Sequence, residues 1–498
     1  MKETREREVK LAAPVGFTVP DLGGVVDGAE ISPGPVRELD AVYYDTPDLR
    51  LTRWGLSLRH RSGEGWTVKL PAGDREALLT RAEVTFDGPP GAVPAAAAAL
   101  VRAYVRSASL EPVARLKTCR RPVEVRDPSG TRLAEIVVDD VSVYQGDHLV
   151  GSFRELEVEL ADAAPRRLLD ALVDALRKTG AGSPSRTPKI VRALGARAAA
   201  PPDVVVPEVG RKASTAEVVR AAIAGAAMRI ITNDPWVRLG EDPEAVHQAR
   251  VGTRRLRSDL RTFGPLLEES WVAALRTEAG WLGGLLGAMR DADVLSERLQ
   301  RQAVHLPDGD AARLGSLFAR LAGERDAARD SLLVGLDSPR YVEFLDRLVE
   351  ATAGPAVVRH ASRRATKLLP DLVRKPWRRL RRAVDELPAE PSDTGLHQVR
   401  IRAKRCRYAA EAAEPVIGKP AAAFAEALAA LQTVLGDHQD AVVAEAWMRG
   451  HLQGLSADEA LVVGELVAAQ RAAKAAARAA WPEVWGVASR RKLRSWLG

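Results

Sequence analysis

The sequence predicts an α+β domain followed by an all-helical one, and three observations carry that prediction. Before about residue 200 the chain runs in short segments of alternating polarity bounded by Gly, Pro and Asp, as half-buried strands do. After residue 211 it is rich in Ala, Leu and Arg, with a 3.6-residue apolar period and few β-branched runs. Between the two, the Pro-containing stretch 199–210 reads as a linker. The expected division is therefore 1–198, a linker, and 211–498.

In the first half the candidate strands are 4–11, 41–44, 55–61, 65–70, 80–86, 113–124, 132–144 and 153–160. Ala-rich stretches at 94–109 and 165–178 read as helices packed outside a sheet. Residues 6–10 read EREVK, so a strand puts Glu6, Glu8 and Lys10 on one face and Arg7 and Val9 on the other. Two carboxylates beside an ammonium suit a divalent cation held next to a phosphate, though a solvated edge strand carries the same charges.

Residues 55–70 read as a hairpin turning at Ser62–Gly65, with Arg59 and Arg61 on one face and Thr67 and Lys69 on one face of the returning strand. Arg81 and Glu83 share a face, opposite Ala82, Val84 and Phe86. Lys117 and Arg121 are in phase, with Arg120 on the opposite parity unless a bulge intervenes. Glu135, Val137 and Asp139 are in phase, as are Glu155, Glu157 and Glu159, a face of carboxylates that repel one another unless exposed or metal-bound. Closing such strands into a barrel would gather these charges into one polar lumen.

The helical half contains a repeat. Residues 246–257 read VHQARVGTRRLR and return as LHQVRIRAKRCR at 396–407; residues 282–291 read LGGLLGAMRD and return as LQTVLGDHQD at 431–440. The expected repeat units are about 211–350 and 355–498. On a helix His247, Arg250, Arg254, Arg257 and Arg261 form one stripe, as do His397, Arg400, Lys404 and Arg407. Like charges at this spacing oppose helix formation, so a counter-charge is expected, from a polyanion or from solvent. Asp291 and Asp440 are placed to orient the stripes through ion pairs, and the tract 359–382 adds Arg363, Arg364, Lys367, Arg374, Lys375, Arg378 and Arg379.

With 498 residues, two to four domains are expected at ~150 residues each. Lys plus Arg exceed Asp plus Glu by 73 to 66, which points to an anionic partner without naming it. Cys119 and Cys406 stand far apart with no metal-ligand spacing, so neither a disulfide framework nor a zinc site is indicated. The N-terminus is charged and no run of ~18 apolar residues occurs, which gives a cytoplasmic expectation. The basic stripes lack interleaved aromatics, which places nucleic acid low among the partners.

Taken in order, Glu6-x-Glu8-x-Lys10, YYDTPD at 43–48, Leu58-Arg59-x-Arg61, Trp66-Thr67-x-Lys69, Arg81-x-Glu83 and Glu155-x-Glu157-x-Glu159 resemble the CYTH family of triphosphate tunnel enzymes over about 1–198. The resemblance implies an eight-stranded antiparallel tunnel, with Mg²⁺ or Mn²⁺ as cofactor. Carried over by position, Glu6, Glu8, Asp139, Glu155, Glu157 and Glu159 would hold metal. Lys10, Arg59, Arg61, Lys69, Arg81, Lys117, Arg120 and Lys189 would hold triphosphate, with Glu6, Glu8, Lys10 and Lys69 closest to the chemistry and Glu83 on a second acidic wall. The two His-x-x-Arg helices and the segments after them resemble the CHAD family of polyphosphate-binding helical domains, which implies two four-helix bundles. His247, Arg250, Arg254, Arg257, His397, Arg400, Lys404 and Arg407 would then face polyphosphate. The leading expectation is a hydrolase acting on inorganic triphosphate or a related triphosphate. The alternatives are a non-catalytic polyphosphate scaffold and an adenylyl cyclase.

Overall fold

A computed structural model describes the chain from residue 3 to 498, apart from residues 15, 23–24, 26–28, 72–78, 162–163, 186, 308 and 358–361; the side chains of 3–7, 79–81 and 166 also lie outside the described set. Its contacts divide it into two units, Met1–Asp203 and Val204–Gly498.

The first unit carries strands β1 (Glu3–Ala12), β2 (Glu30–Pro33) and β3 (Arg37–Asp45), the short helix α1 (Arg50–Arg53), and strands β4 (Ser57–Arg61), β5 (Gly65–Pro71) and β6 (Leu79–Phe86). Helix α2 (Ala95–Val105) leads to the long strands β7 (Glu111–Arg126), β8 (Arg132–Gln145) and β9 (His148–Leu160). Helix α3 (Arg166–Lys178), strand β10 (Pro184–Ser185) and helix α4 (Lys189–Leu194) complete it. The antiparallel order β1-β6-β5-β4-β3-β7-β8-β9 returns to β1 through a second pairing with β9, so eight strands close a barrel and leave no open edge in the ring.

The ring has the eight strands expected, and two short strands, β2 and β10, add to the sheet outside it. β7 outruns β3, and β2 pairs its spare end at Val123–Arg126. Where β6 stops along β1, β10 continues on the same edge at Lys10 and Leu11. The barrel is polar inside on one side and apolar outside. Val125, Ala134, Ile136, Val138, Leu156 and Val158 face outward into a core with Leu168, Leu169, Leu172 and Leu176 of α3. That covered outer face frees the opposite parity of β8 and β9 to carry carboxylates inward. Further along the inward phase the residues turn apolar: Ala41, Tyr43, Ala114, Leu116, Val141 and Val143 pack around Ile190 of α4.

The second unit contains α5 (Thr215–Leu239), α6 (Pro243–Thr262), α7 (Glu269–Ala303), α8 (Gly315–Asp337), α9 (Pro339–Ala353), α10 (Ala365–Asp385), α11 (Asp393–Ile417), α12 (Lys419–Gly450) and α13 (Ala457–Ala488). Local chemistry sets several starts: Ser214 with Glu217 and Ser456 with Glu459 form capping boxes for α5 and α13, and Asp242 caps α6 before Pro243. Helices α5 to α8 and α10 to α13 run as two chains of consecutive packed neighbours, as the repeat predicts. The first repeat adds α9 against α5; the second ends in the 3₁₀ turn Arg491–Leu497 at the corresponding place. The repeats share a core, since Leu299 of α7, Leu317 of α8, Met448 of α12 and Val463 of α13 belong to one cluster, and α6 packs on α11.

Candidate active site

The barrel's inward phase builds a cavity of about 280 Å³ whose lining includes Glu8, Lys10, Arg59, Arg61, Lys69 and Lys189. Strand register explains the company they keep. Lys10 sits opposite Glu157 and Glu8 opposite Glu159; Asp139 is opposite both Glu155 and Arg120; Lys69 is opposite Glu83. One wall is therefore acidic on β8 and β9 and laced with cations from β1, β7 and α4, while β4 and β5 carry a more basic wall.

On the acidic wall, Asp139, Glu155 and Glu157 are buried and offer carboxylate oxygens that all lie within 4.8 Å of one another. Lys10 donates to Glu157 and lies 3.4 Å from Glu8. Arg120 forks onto Asp139 at 2.9 and 2.7 Å and reaches Glu157 at 2.9 Å. Lys189 contacts Asp139 at 2.6 Å and Glu155 Oε1 at 3.1 Å, but that last oxygen is not aligned for a hydrogen bond and has no other partner among the described residues. Burial alone would push Glu157 up, yet the charges of Lys10, Lys189 and Arg120 hold it well below the usual carboxylate range. Glu155 is raised, by burial first and then by Glu157. Burial would lower Lys10, Lys189 and Arg120, but the facing carboxylates outweigh it and raise all three. A buried set of oxygen donors, one left without a hydrogen bond, fits a hard divalent cation such as Mg²⁺ or Mn²⁺.

The basic wall is less compensated. Arg61 pairs with Glu64 at 2.7 Å, and Lys69 pairs with Glu83. The Nε atoms of both Arg59 and Arg61 are buried and without hydrogen-bond partners among the described residues. Arg61 is lowered, by burial first and then by the charge of Arg59. Burial would raise the Tyr43 phenol, but Arg59, Lys189 and Arg61 bring it down. Unsatisfied guanidinium donors on two residues that line this cavity mark a wall suited to an anion's oxygens.

In the second unit the two stripes meet where α6 crosses α11. Arg250 pairs with Asp291 at 2.8 Å, while burial raises the Asp440 carboxyl against the charges of Arg400 and Arg298. Arg254 and Arg407 both lie over the Tyr408 ring, at 5.5 and 5.0 Å. Lys404 is pushed down to about 7, by burial first and then by Arg400, Arg254, Arg250 and Arg407. Two repeated glycines lie beside the stripe arginines. A Cβ on Gly287 would lie 3.7 Å from the Arg250 guanidinium, and one on Gly436 would lie 3.7 Å from that of Arg400, so α7 and α12 are bare where the stripe arginines pass.

Comparison with known proteins fits both halves. Family models match residues 4–193 as a CYTH domain and residues 221–449 as a CHAD domain. Two uncharacterized proteins of Mycobacterium tuberculosis, from strains CDC 1551 / Oshkosh and ATCC 25618 / H37Rv, are each 34% identical over 482 residues, covering 89% of this chain and 87% of theirs. Among solved structures, PptA from Streptomyces chartreusis is 25% identical with a TM-score of 0.48, over 55% of this chain and all of that one. The CHAD domain of the plant Ricinus communis is 29% identical with a TM-score of 0.43, over 56% and 97%. The chain belongs to the family that joins a CYTH domain to a CHAD domain.

The CYTH barrel brings Glu8, Lys10, Arg59, Arg61, Lys69, Arg120, Glu157, Glu159 and Lys189 to one cavity, with Asp139 and Glu155 directly behind its acidic wall. Lys117 is not among them. No bulge intervenes between residues 117 and 120, so the inward phase belongs to Arg120, and Lys117 stands exposed outside, 5.2 Å from the Tyr144 ring. The backbone register sets Glu6 opposite Arg81, but both side chains lie outside the described set. Asp45, in the sequence YYDTPD, is architectural. It accepts from the backbone N–H groups of Thr46, Leu51 and Thr52 and holds α1. Sequence reasoning missed the polar lining residues Ser57, Glu64, Thr85 and Tyr43, of which Tyr43, from the same run, was readable as architecture too. Its alternation with Asp45 along β3 was the available signal. In the CHAD domain His247 is lowered, by burial first and then by Arg290, Arg254 and Arg250, and His397 Nδ1 has no hydrogen-bond partner among the described residues. No described helix is long and apolar enough to cross a membrane.

Proposed function

We propose that the CYTH domain hydrolyses inorganic triphosphate, or a related triphosphate, with Mg²⁺ or Mn²⁺, and that the CHAD domain holds longer polyphosphate. The observation that carries this reading is the pair of buried, unpartnered Nε donors of Arg59 and Arg61 opposite three buried carboxylates. Arg59, Arg61 and Lys69 grip and orient the phosphate chain from one wall, while Lys10, Arg120 and Lys189 line the other; phosphoryl transfer asks for this positioning and charge neutralisation more than for covalent work. Asp139, Glu155 and Glu157, with Glu8 and Glu159 beside them, would hold the cation, which when bound supplies charge neutralisation and a more acidic water. The cations now paired to these carboxylates can swing to phosphate oxygens as metal takes their place, so substrate and metal support each other's binding. The cavity's single described aromatic is Tyr43, whose ring lies in the apolar cluster and whose hydroxyl faces Arg59, so no stacking platform favours a nucleotide base.

The test is phosphate release from triphosphate, ATP and long polyphosphate, with Mg²⁺, with Mn²⁺ and with chelator. Metal-dependent release from triphosphate well above that from ATP supports the proposal; cyclisation of ATP, or no turnover of any substrate, would end it.

A further inference from the structure

The repeat of the helical unit duplicates a cavity and changes its charge. One copy, about 580 Å³, lies between α5, α6 and α11 and is lined by Gly225, Arg229, Arg255, Glu411 and Pro415. The other, about 530 Å³, lies between α10, α6 and α11, and at the 150-residue offset its lining answers residue for residue: Lys375, Arg379, Arg405, Arg261 and Pro265. In the first copy Arg255 donates to Glu411 at 2.5 Å, so the guanidinium meets a carboxylate. In the second the equivalents are Arg405 and Arg261, two cations. The first copy is also lined by the chain's own segment Val206–Val209. In the second, Arg382 and Arg402 extend the cationic lining, and an adjoining cavity of about 450 Å³ continues it past Arg374 and Arg378.

We propose that the α6–α10–α11 cavity is an anion site in which a bound phosphate group takes the place that the Glu411 carboxylate fills in its twin. Six cationic side chains line it against two carboxylates, Asp371 and Glu386, and Asp371 is already paired with Arg374 at 2.7 Å. Among the described residues, Arg261, Lys375, Arg379, Arg382, Arg402 and Arg405 make no ion pair. Arg261 is pushed down to about 10, by burial first and then by Arg405, Arg276, Arg257 and Arg379. An excess of this size calls for a polyvalent anion, and guanidinium forks match phosphate oxygens. Leu372, Pro265 and Pro376 give the cavity apolar walls, which distinguishes it from an open basic surface. The site is separate from the tunnel and lies beyond the residues assigned to polyphosphate above, and only the second arm of the test rests on that assignment.

The source of the phosphate is either a small free phosphoanion or a stretch of the polyphosphate chain, and two ligands distinguish them. The full chain is dialysed to equilibrium against labelled pyrophosphate, and separately titrated with long polyphosphate, without divalent metal. Arg261→Glu recreates the twin's ion pair; an Arg379→Gln/Arg405→Gln double variant removes charge without adding any. A small free ligand predicts that both variants lose one pyrophosphate per chain, or bind it at least tenfold more weakly, with polyphosphate affinity little changed. A polyphosphate segment predicts that polyphosphate affinity falls in both. If folded variants, checked by melting temperature, bind both ligands as the unaltered chain does, the proposal is wrong, and triphosphate hydrolysis by the tunnel would be untouched by that result.

Discussion

Lys189 Nζ lies 2.6 Å from Oδ2 of Asp139, a side chain with no solvent exposure, and so ties the first residue of α4 to the middle of β8. Pro188 sits in the extended conformation just before it and sets where α4 begins. Lys189→Ala should therefore lower kcat/KM for triphosphate and also cost stability by about 1–3 kcal/mol, less than for an unpaired buried carboxylate because Arg120 still grips Asp139. Denaturant unfolding beside steady-state kinetics checks both; a variant unchanged in both would show Lys189 to be a bystander.

Arg59→Ala and Lys69→Ala test the basic wall. Each removes one preorganised charged donor, and a loss of roughly 2–4 kcal/mol in transition-state stabilisation is expected, about 30- to 10³-fold in kcat/KM. Lys69→Ala should lose somewhat less if Glu83, its present partner, is a net competitor for that charge. Rates within twofold of the unaltered chain would remove the wall from the mechanism.

Replacing Glu157 or Glu8 with Gln exchanges a carboxylate for a poorer ligand of a hard cation. The midpoint of activation by Mn²⁺ should rise at least tenfold in each variant; Glu157→Gln also weakens the pairing of Lys10 and Arg120 and should lower the melting temperature in chelator, Glu8→Gln less so. Unshifted activation midpoints would place the metal elsewhere.

The Lys404 ammonium, held down to about 7, should give the proposed polyphosphate binding a pH dependence. In the unfolded chain it titrates near 10.4, so between about 7 and 10 the unfolded state binds more protons and folding stability rises with pH through this group. A bound polyanion restores the charge and takes up a proton, so affinity should fall as pH rises from about 6 to 9 and should also fall steeply with salt. Lys404→Arg should flatten the pH profile. Titrations at matched ionic strength read it directly, and a flat profile in the unaltered chain would contradict it.

Asp259 is raised to about 7 by burial, and its Oδ1 has no hydrogen-bond partner among the described residues. Its folded value lies above the unfolded one, so its protonated form is the stable one and folding stability is lost as pH climbs from about 4 to 7. Asp259→Asn should therefore stabilise the chain at pH 7 by about 1–3 kcal/mol and hardly at all at pH 4. Melting curves at the two pH values decide it.

The alternation of residues 6–10, 135–139 and 155–159 was enough to place carboxylates on common faces, because strand parity is a local property. The 150-residue repeat likewise fixed the helical stripes before any packing was known, since i, i+3 and i+4 neighbours meet whatever surrounds them. The parity of 117 and 120 was equally legible, but which parity faced inward was not. That depended on β7 lying between β3 and β8 without a bulge at that point, and it turned Lys117 out and Arg120 in. Ring closure belongs to the tertiary structure as well, since only the pairing of β1 with both β6 and β9 sets Lys10 against Glu157 across 147 residues. The same holds for the unlike twins Arg255–Glu411 and Arg405–Arg261. Composition and periodicity count their charges, but only the crossing of α6 and α11 decides which charge meets which, because Coulomb energies depend on distance and burial rather than on order along the chain.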